Sequence, residues 1–474
     1  MASGSSETRT YGRRASLLSI GVGITGLITY LFFAIASHEL TPHEYGQVVV
    51  LWSAVFIVVS ILQRPVEQLL SRTVSERLAN DQPIGHTVRV AATIQLAVAL
   101  GFDAVALALR GPIEDGLLDG NETLYWIGVA AVTAYGVSYF ARGFLAGSHR
   151  LSLYAALIIS ESISRTLFPL AVALGIASGQ DAVALGIAAA PTLSLIVVPF
   201  AFLRRGGARA PAGVAPVDGA PATAPQHESG GSSASPAKPP PATELTLAHG
   251  GGFAAAVFLI MLSEQTFLNA GPLIVNSTSG AAAAGFIFNI LMIARAPLQL
   301  FQAVSTSLLP HLTRLRSQGQ DEDFRDSIRV TIRAIAAFVA LVGIAVLIAG
   351  PELMHIAFGE KFDYQRIDLL IVTAGMGLYL SAATLNQAAL AQGQVRRASV
   401  YWIGCAIAFV LWTAVPIVAD EFTRVEVGYL GAAAVLCALL YWVYRQPQPR
   451  VADRPEPGSG EEVELQLAAA DEGS

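Results

Sequence analysis

Lysine is nearly missing from this 474-residue chain, which holds Lys238 and Lys361 against 27 arginines. Charge of either sign is also scarce, at 14% of residues where an average soluble domain carries roughly a quarter, so an ordinary soluble enzyme is excluded. Cysteine occurs twice, at Cys405 and Cys437, both in apolar runs; no disulfide framework or metal-ligand spacing arises, and small packing residues fit both positions. A net charge of −6 excludes an electrostatic nucleic-acid binder, which needs a basic face to displace phosphate counterions. No G-x-x-x-x-G-K-[ST] loop is present, which disfavours direct use of ATP. What the chain does have is 53% hydrophobic residues and a mean hydropathy of +0.55, more than soluble cores can hide. The bilayer is its solvent.

A spanning helix needs about 20 mostly apolar residues. Twelve such runs are expected at 16–36, 46–69, 87–109, 123–146, 152–177, 181–203, 252–277, 281–307, 326–349, 366–391, 397–418 and 425–444. Basic residues flank alternate ends of these runs, 23 on one side and 4 on the other, which puts both termini in the cytoplasm. Arg165 and Arg295 fall within spans and have no topological role. Residues 204–248 are rich in Pro, Ala, Gly and Ser and read as a disordered cytoplasmic linker between an N-terminal lobe, 16–203, and a C-terminal lobe, 249–444. A cytoplasmic segment, 1–15, precedes them, and a Pro-rich tail from 445 to 474 ends in the acidic residues Glu461, Glu462, Glu464, Asp471 and Glu472.

The turn after the fourth span reads Arg150-Leu151-Ser152-Leu153-Tyr154, and the turn after the tenth reads Arg397-Ala398-Ser399-Val400-Tyr401. The shared R-x-S-x-Y, at the same place in each half, points to duplication. Six is an even number of spans, so the copies share one orientation about an axis along the membrane normal.

Further stretches carry a resemblance: Leu40-Thr41-Pro42-His43-Glu44-Tyr45-Gly46, Arg142 to Gly147, Ala284 to Pro310, and Phe358-Gly359-Glu360-Lys361-Phe362. In this order along twelve spans, the chain resembles the Wzx-like polysaccharide flippases of the multidrug/oligosaccharidyl-lipid/polysaccharide (MOP) exporter superfamily. The resemblance implies an all-α polytopic membrane protein of two six-helix lobes around a polar cavity. It also implies a bacterial cell membrane, no enzymatic activity, and alternating-access movement of a polyprenyl-diphosphate-linked oligosaccharide or related lipid-linked glycan to the outer leaflet. Membrane lipids, a glycan polymerase and glycosyltransferases are the corresponding candidate partners; no cofactor or metal is called for.

Ionisable groups inside the bilayer face a cavity or a partner. In span five, Glu161 and Arg165 lie about 14 and 20 Å deep by helical rise and share one face in the order that favours pairing. Pro169 cannot donate to the Arg165 carbonyl. Span eight offers Asn289 and Arg295, span seven Glu264 and Asn269. Arg165, Arg295, Glu161, Asn289 and Asn269 are therefore candidate cavity residues and Glu264 a candidate ion-coupling residue. Arg64, Glu67, Arg72 and Arg142 are candidates for a cytoplasmic vestibule that meets a diphosphate first. For each, a structural reading competes: a closed ion pair for Glu161 and Arg165, snorkelling for Arg295, interhelical packing for Glu264, positive-inside retention for the vestibule arginines. Three other functions compete as well: a multidrug exporter of the same superfamily, a membrane-embedded glycan polymerase or ligase, and a scaffold acting through linker and tail. The longest outer loop, near 350–365, carries Glu352, His355, Glu360 and Asp363 but no acid/base arrangement.

Overall fold

The computed structural model describes residues 21, 23–200, 247–292 (side chains from 255), 308, 312–316 and 318–446. Every regular element among them is a helix. In the first lobe these are α1 (23–39), α2 (Pro42–Leu62), α3 (Arg64–Ala79), α4 (Gly85–Ala108), α5 (Arg110–Leu117), α6 (Glu122–Gly147), α7 (Leu151–Ala173) and α8 (Gly179–Ser194). The second lobe has α9 (Leu247–Ser279), α10 (Ala281–Met292), α11 (Asp321–Phe358), α12 (Arg366–Ala391), α13 (Val395–Ala414) and α14 (Glu421–Arg445). Among the described residues, ten helices are long and apolar enough to cross a membrane, counting α2 and α3 as one bent rod. With α1 and α10 they fill the twelve expected positions. The segment 1–15, the linker to residue 246, and the tail from 447 lie outside the described residues, as does Arg295.

Local chemistry explains several boundaries. Thr41 and Glu44 form a reciprocal capping box at the start of α2, with Pro42 where a missing N–H costs nothing. Asn121 and Asp420 cap α6 and α14, their side chains accepting from Leu124 N and Thr423 N. Pro65 at the start of α3 supplies no donor to the preceding turn, and the rod bends at Gln63.

Two elements outrun the sequence reading. The second span was expected to end at 69, but α3 continues to Ala79 as a charged extension. The ninth was expected at 326–349, but α11 runs 38 residues, with Ala349 out of helical conformation just before Pro351 and helix resuming to Phe358. Hydropathy marks the part of a helix in lipid, and a helix is free to continue outside it.

The two repeat turns share one geometry. His149 (φ 56°) and Gly393 (φ 75°) are left-handed, and Arg150 N and Gln394 N each bond back to a carbonyl five residues earlier. By this geometry Arg150 corresponds to Gln394, so the R-x-S-x-Y match is displaced by three residues, just under one helical turn.

At one end the lobes are in backbone contact. Gly46 and Gly285 let α2 and α10 touch backbone to backbone; a Cβ on Gly46 would lie 1.7 Å from the Ala281 oxygen. Tyr45 donates to Asn289, Ser37 Oγ to the Phe358 oxygen (2.6 Å), and Asn276 Nδ2 to the Leu117 oxygen (3.0 Å). Lys361 Nζ donates to the carbonyls of Ser37, His38 and Leu40, where α1 ends. All of these lie away from the arginine-rich ends. Phe33 against Phe288, with centroids 4.5 Å apart, carries the apolar core across the junction.

Candidate functional site

Within the first lobe, α6 lies between α3 and α7. Gly143 and Gly147 allow the α3–α6 approach: a Cβ would sit 2.7 Å from the Glu67 oxygen and 2.6 Å from the Ser71 oxygen. On the neighbouring face of α6, Tyr135, Ser138, Tyr139 and Arg142 recur at helical spacing and meet the charged pair of α7.

Glu161 is the hub. It accepts from Arg165 Nη2 (3.0 Å), from Ser138 Oγ (3.1 Å) and from Arg142 Nη2. Arg165 also donates to the Tyr135 hydroxyl (2.6 Å) and lies 4.7 Å over the Trp52 ring. Its side chain is 4% exposed and that of Glu161 5%. The predicted Glu161–Arg165 pair is therefore formed, and a second arginine joins it. Arg142 rests 4.4 Å over Tyr139, is 11% exposed, and leaves its Nε without a hydrogen-bond partner.

Arg142 forms the floor of a cavity of about 700 Å³ between α3, α6 and α7. Arg64, Glu67 and Arg72 line the same cavity, so all four expected vestibule residues converge there. Glu67 accepts from the Tyr154 hydroxyl (3.0 Å), which gives the tyrosine of the repeat motif a role. Arg72 is tied to Glu76 at the surface (2.6 Å). Ser71, Ser75, Gln68 and His149 add hydrogen-bonding groups. Arg64, Arg142 and Arg165 face two carboxylates of their own lobe, Glu67 and Glu161, and one of these, Glu161, is shared by two of the arginines.

Glu264 approaches from the other lobe, on α9, within electrostatic reach of Arg64. Beside it Gln68 Nε2 lies 3.5 Å from Met261 Sδ. The other candidates sit elsewhere. Asn289, fully buried, is engaged by Tyr45 and Tyr364 in the interlobe seal (3.0 Å to the Tyr364 hydroxyl). Asn269 bonds back to Gln265 within α9. The 350–365 stretch is mostly helix; His355 approaches the Phe362 oxygen (3.1 Å) and Glu352 pairs with Arg366 (3.1 Å).

Sequence reading passed over Tyr135, Ser138, Tyr139, His149 and Trp52. The i, i+4, i+7 spacing of Tyr135, Tyr139 and Arg142 was the available signal. For Trp52, whose partner is 113 positions away, there was none.

No protein-family model matches the chain, and no curated protein does. Solved structures do. An inward-facing multidrug resistance MATE family transporter of the MOP superfamily aligns with a TM-score of 0.62 at 9% identity, covering 96% of this chain and 99% of that one. The eukaryotic MATE transporter AtDTX14 aligns at 0.60 and 10% identity, over 92% and 96%. An outward-facing MATE transporter of the MOP superfamily gives 0.56 at 13% identity, over 91% and 94%. The chain is an all-α polytopic membrane protein with the two-lobed, twelve-helix fold of the MATE transporters.

Proposed function

We propose that the chain is an alternating-access transporter of the MOP superfamily that moves an anionic lipid-linked glycan, of the polyprenyl-diphosphate class, from the cytoplasmic to the outer leaflet of a bacterial cell membrane. The observation that carries this reading is Arg142. It opens on the cavity yet shares its counter-ion with Arg165, so the site keeps cationic capacity for a diphosphate. The hydroxyls, amides and imidazole around it suit sugars. The seal at the ends away from the arginines, and the higher TM-score with the inward-facing neighbour, support a state open toward the cytoplasm. In this reading the linker, the tail and both termini are cytoplasmic, and a glycan polymerase and glycosyltransferases act on either side of the transported intermediate.

Arg142→Ala is the informative variant, because Glu161 keeps Arg165 and Ser138 and the helices keep their packing. In proteoliposomes holding a fluorescent polyprenyl-diphosphate oligosaccharide, we expect its translocation to fall by about tenfold or more, in line with loss of a charge-assisted contact. Unchanged translocation by Arg142→Ala, or none by the unaltered protein, overturns the proposal.

A second reading, export of cationic amphipathic molecules, draws on the likeness to multidrug resistance transporters and on Glu264. Near that carboxyl lie Arg64 of the other lobe and Tyr379 of its own. Gradient-driven uptake of ethidium into vesicles, abolished by Glu264→Gln and indifferent to Arg142→Ala, favours this reading.

A further inference from the structure

A second cavity, of about 790 Å³, lies in the other lobe, apart from the candidate site and unused by the function proposed above. It is bounded by the short helix at 312–316, the first turns of α11 and the last turn of α14. Five arginines line it, Arg316, Arg325, Arg329, Arg333 and Arg445, against a single lining carboxylate, Asp321. Arg316 is paired with Asp321 (2.7 Å) and Arg329 with Asp326 (2.6 Å). Arg325, Arg333 and Arg445 have no carboxylate partner among the described residues; Arg445 lies 4.8 Å over the Tyr441 ring.

The position of the groove along the membrane normal follows from α11. Thirty-eight residues span about 57 Å by helical rise, almost twice the thickness of a ~30 Å hydrocarbon core. Ala334 to Pro351 contain no charged residue, so Arg333 marks the edge of the apolar run. Arg329 and Arg325 follow about 6 and 12 Å further out on the same face. Tyr441, Trp442 and Tyr444 stand at the matching level of α14, as aromatic side chains do at a membrane interface. Val330 (62% exposed), Leu341 (65%) and Trp442 (56%) present apolar surface on other faces of the same two helices. Cationic groups at headgroup depth, next to bare apolar helix faces, match a molecule with a phosphate head and acyl chains.

We propose that this groove binds the phosphate headgroup of an anionic phospholipid, with Arg325, Arg333 and Arg445 as its ligands. The chain's own tail, Pro-rich after Arg445 and acidic from Glu461, is the competing occupant. The lipid is favoured because the groove's arginines stand at the edge of the apolar run of α11, the depth where phosphates lie, on helices that carry exposed apolar side chains.

The test uses the full chain in phosphatidylcholine nanodiscs doped with cardiolipin, with retained lipid counted by native mass spectrometry. Unaltered protein is expected to retain cardiolipin over phosphatidylcholine. The triple variant Arg325→Gln, Arg333→Gln, Arg445→Gln should lose about tenfold or more of that preference. Arg77→Gln, Arg89→Gln, Arg396→Gln removes the same charge elsewhere on the basic face and should keep it. Equal retention by the unaltered protein and the groove variant overturns the proposal, as does equal loss in both variants. Cardiolipin binding that appears only after removal of 447–474 overturns it in favour of the tail. Displacement of the lipid by inorganic pyrophosphate at equal concentration overturns the lipid as the source of the phosphate.

Discussion

At Glu161 one carboxylate balances two guanidinium groups, and all three side chains are largely buried. Removing the carboxylate and removing either arginine are therefore unequal changes. Glu161→Gln leaves Arg142 and Arg165 facing each other without a counter-ion, and loss of one partner from a buried ion pair costs about 3–5 kcal/mol. We expect Glu161→Gln to lower the thermal unfolding midpoint in detergent well below that of Arg142→Ala; equal midpoints would show that the carboxylate is not the hub. The Glu161–Arg165 pair was legible in the sequence because four residues of helix place them on one face. Arg142 was legible as a vestibule candidate, but its pairing with Glu161 was not. It lies five residues inside α6, about 8 Å from the helix end, and only the packing of α6 on α7 turns it toward Glu161. Asn289 looked equivalent to a cavity residue for the same reason that any buried amide does, since its tyrosine partners are 244 and 75 positions away.

Between elements, close helix approach does much of the positioning. Pro169 leaves the Arg165 carbonyl without its usual donor, and Gly186 of α8 packs against that oxygen: an added Cβ would lie 2.9 Å from it and 3.0 Å from the Phe168 side chain. The backbone beneath Arg165 is thus clamped from the far side of α7. Gly186→Val should push α8 away, destabilising the lobe by about 1–3 kcal/mol as overpacked cores do, and loosen Arg165. Slower or unchanged proteolysis of the α7–α8 hairpin in this variant would be evidence against the clamp. Helix number and order came through in the sequence because each span must be apolar over bilayer thickness, and the bounds 366–391 expected for the tenth span match those of α12. The ends of α3 and α11 did not, because water-exposed helical turns carry no hydropathy signal.

For the whole molecule, a single chain's sequence holds the even split into six and six but no information on which ends of the lobes touch. That is decided by contacts such as Gly46 on Ala281, far apart in sequence. Because a side chain at Gly46 overlaps the Ala281 carbonyl, Gly46→Leu is expected to force the seal apart and shift the population toward an outward-open state. Spin labels at Asp115→Cys and Ser277→Cys, in a background lacking Cys405 and Cys437, should report a longer distance in the Gly46→Leu protein. An unaltered distance distribution would mean the seal accommodates the side chain and does not set the conformation.

Lys361 spans that same seal, its ammonium shared among three carbonyls at the end of α1. In a chain with only one other lysine, Lys238 of the linker, side-chain amine chemistry is almost confined to this junction. The charge there can be acylated while every arginine of the cavity and of the second-lobe groove is left intact. The scarcity of lysine thus gives the protein an intrinsic chemical handle on its closed end, one whose reactivity follows whether those three carbonyls still hold the amine.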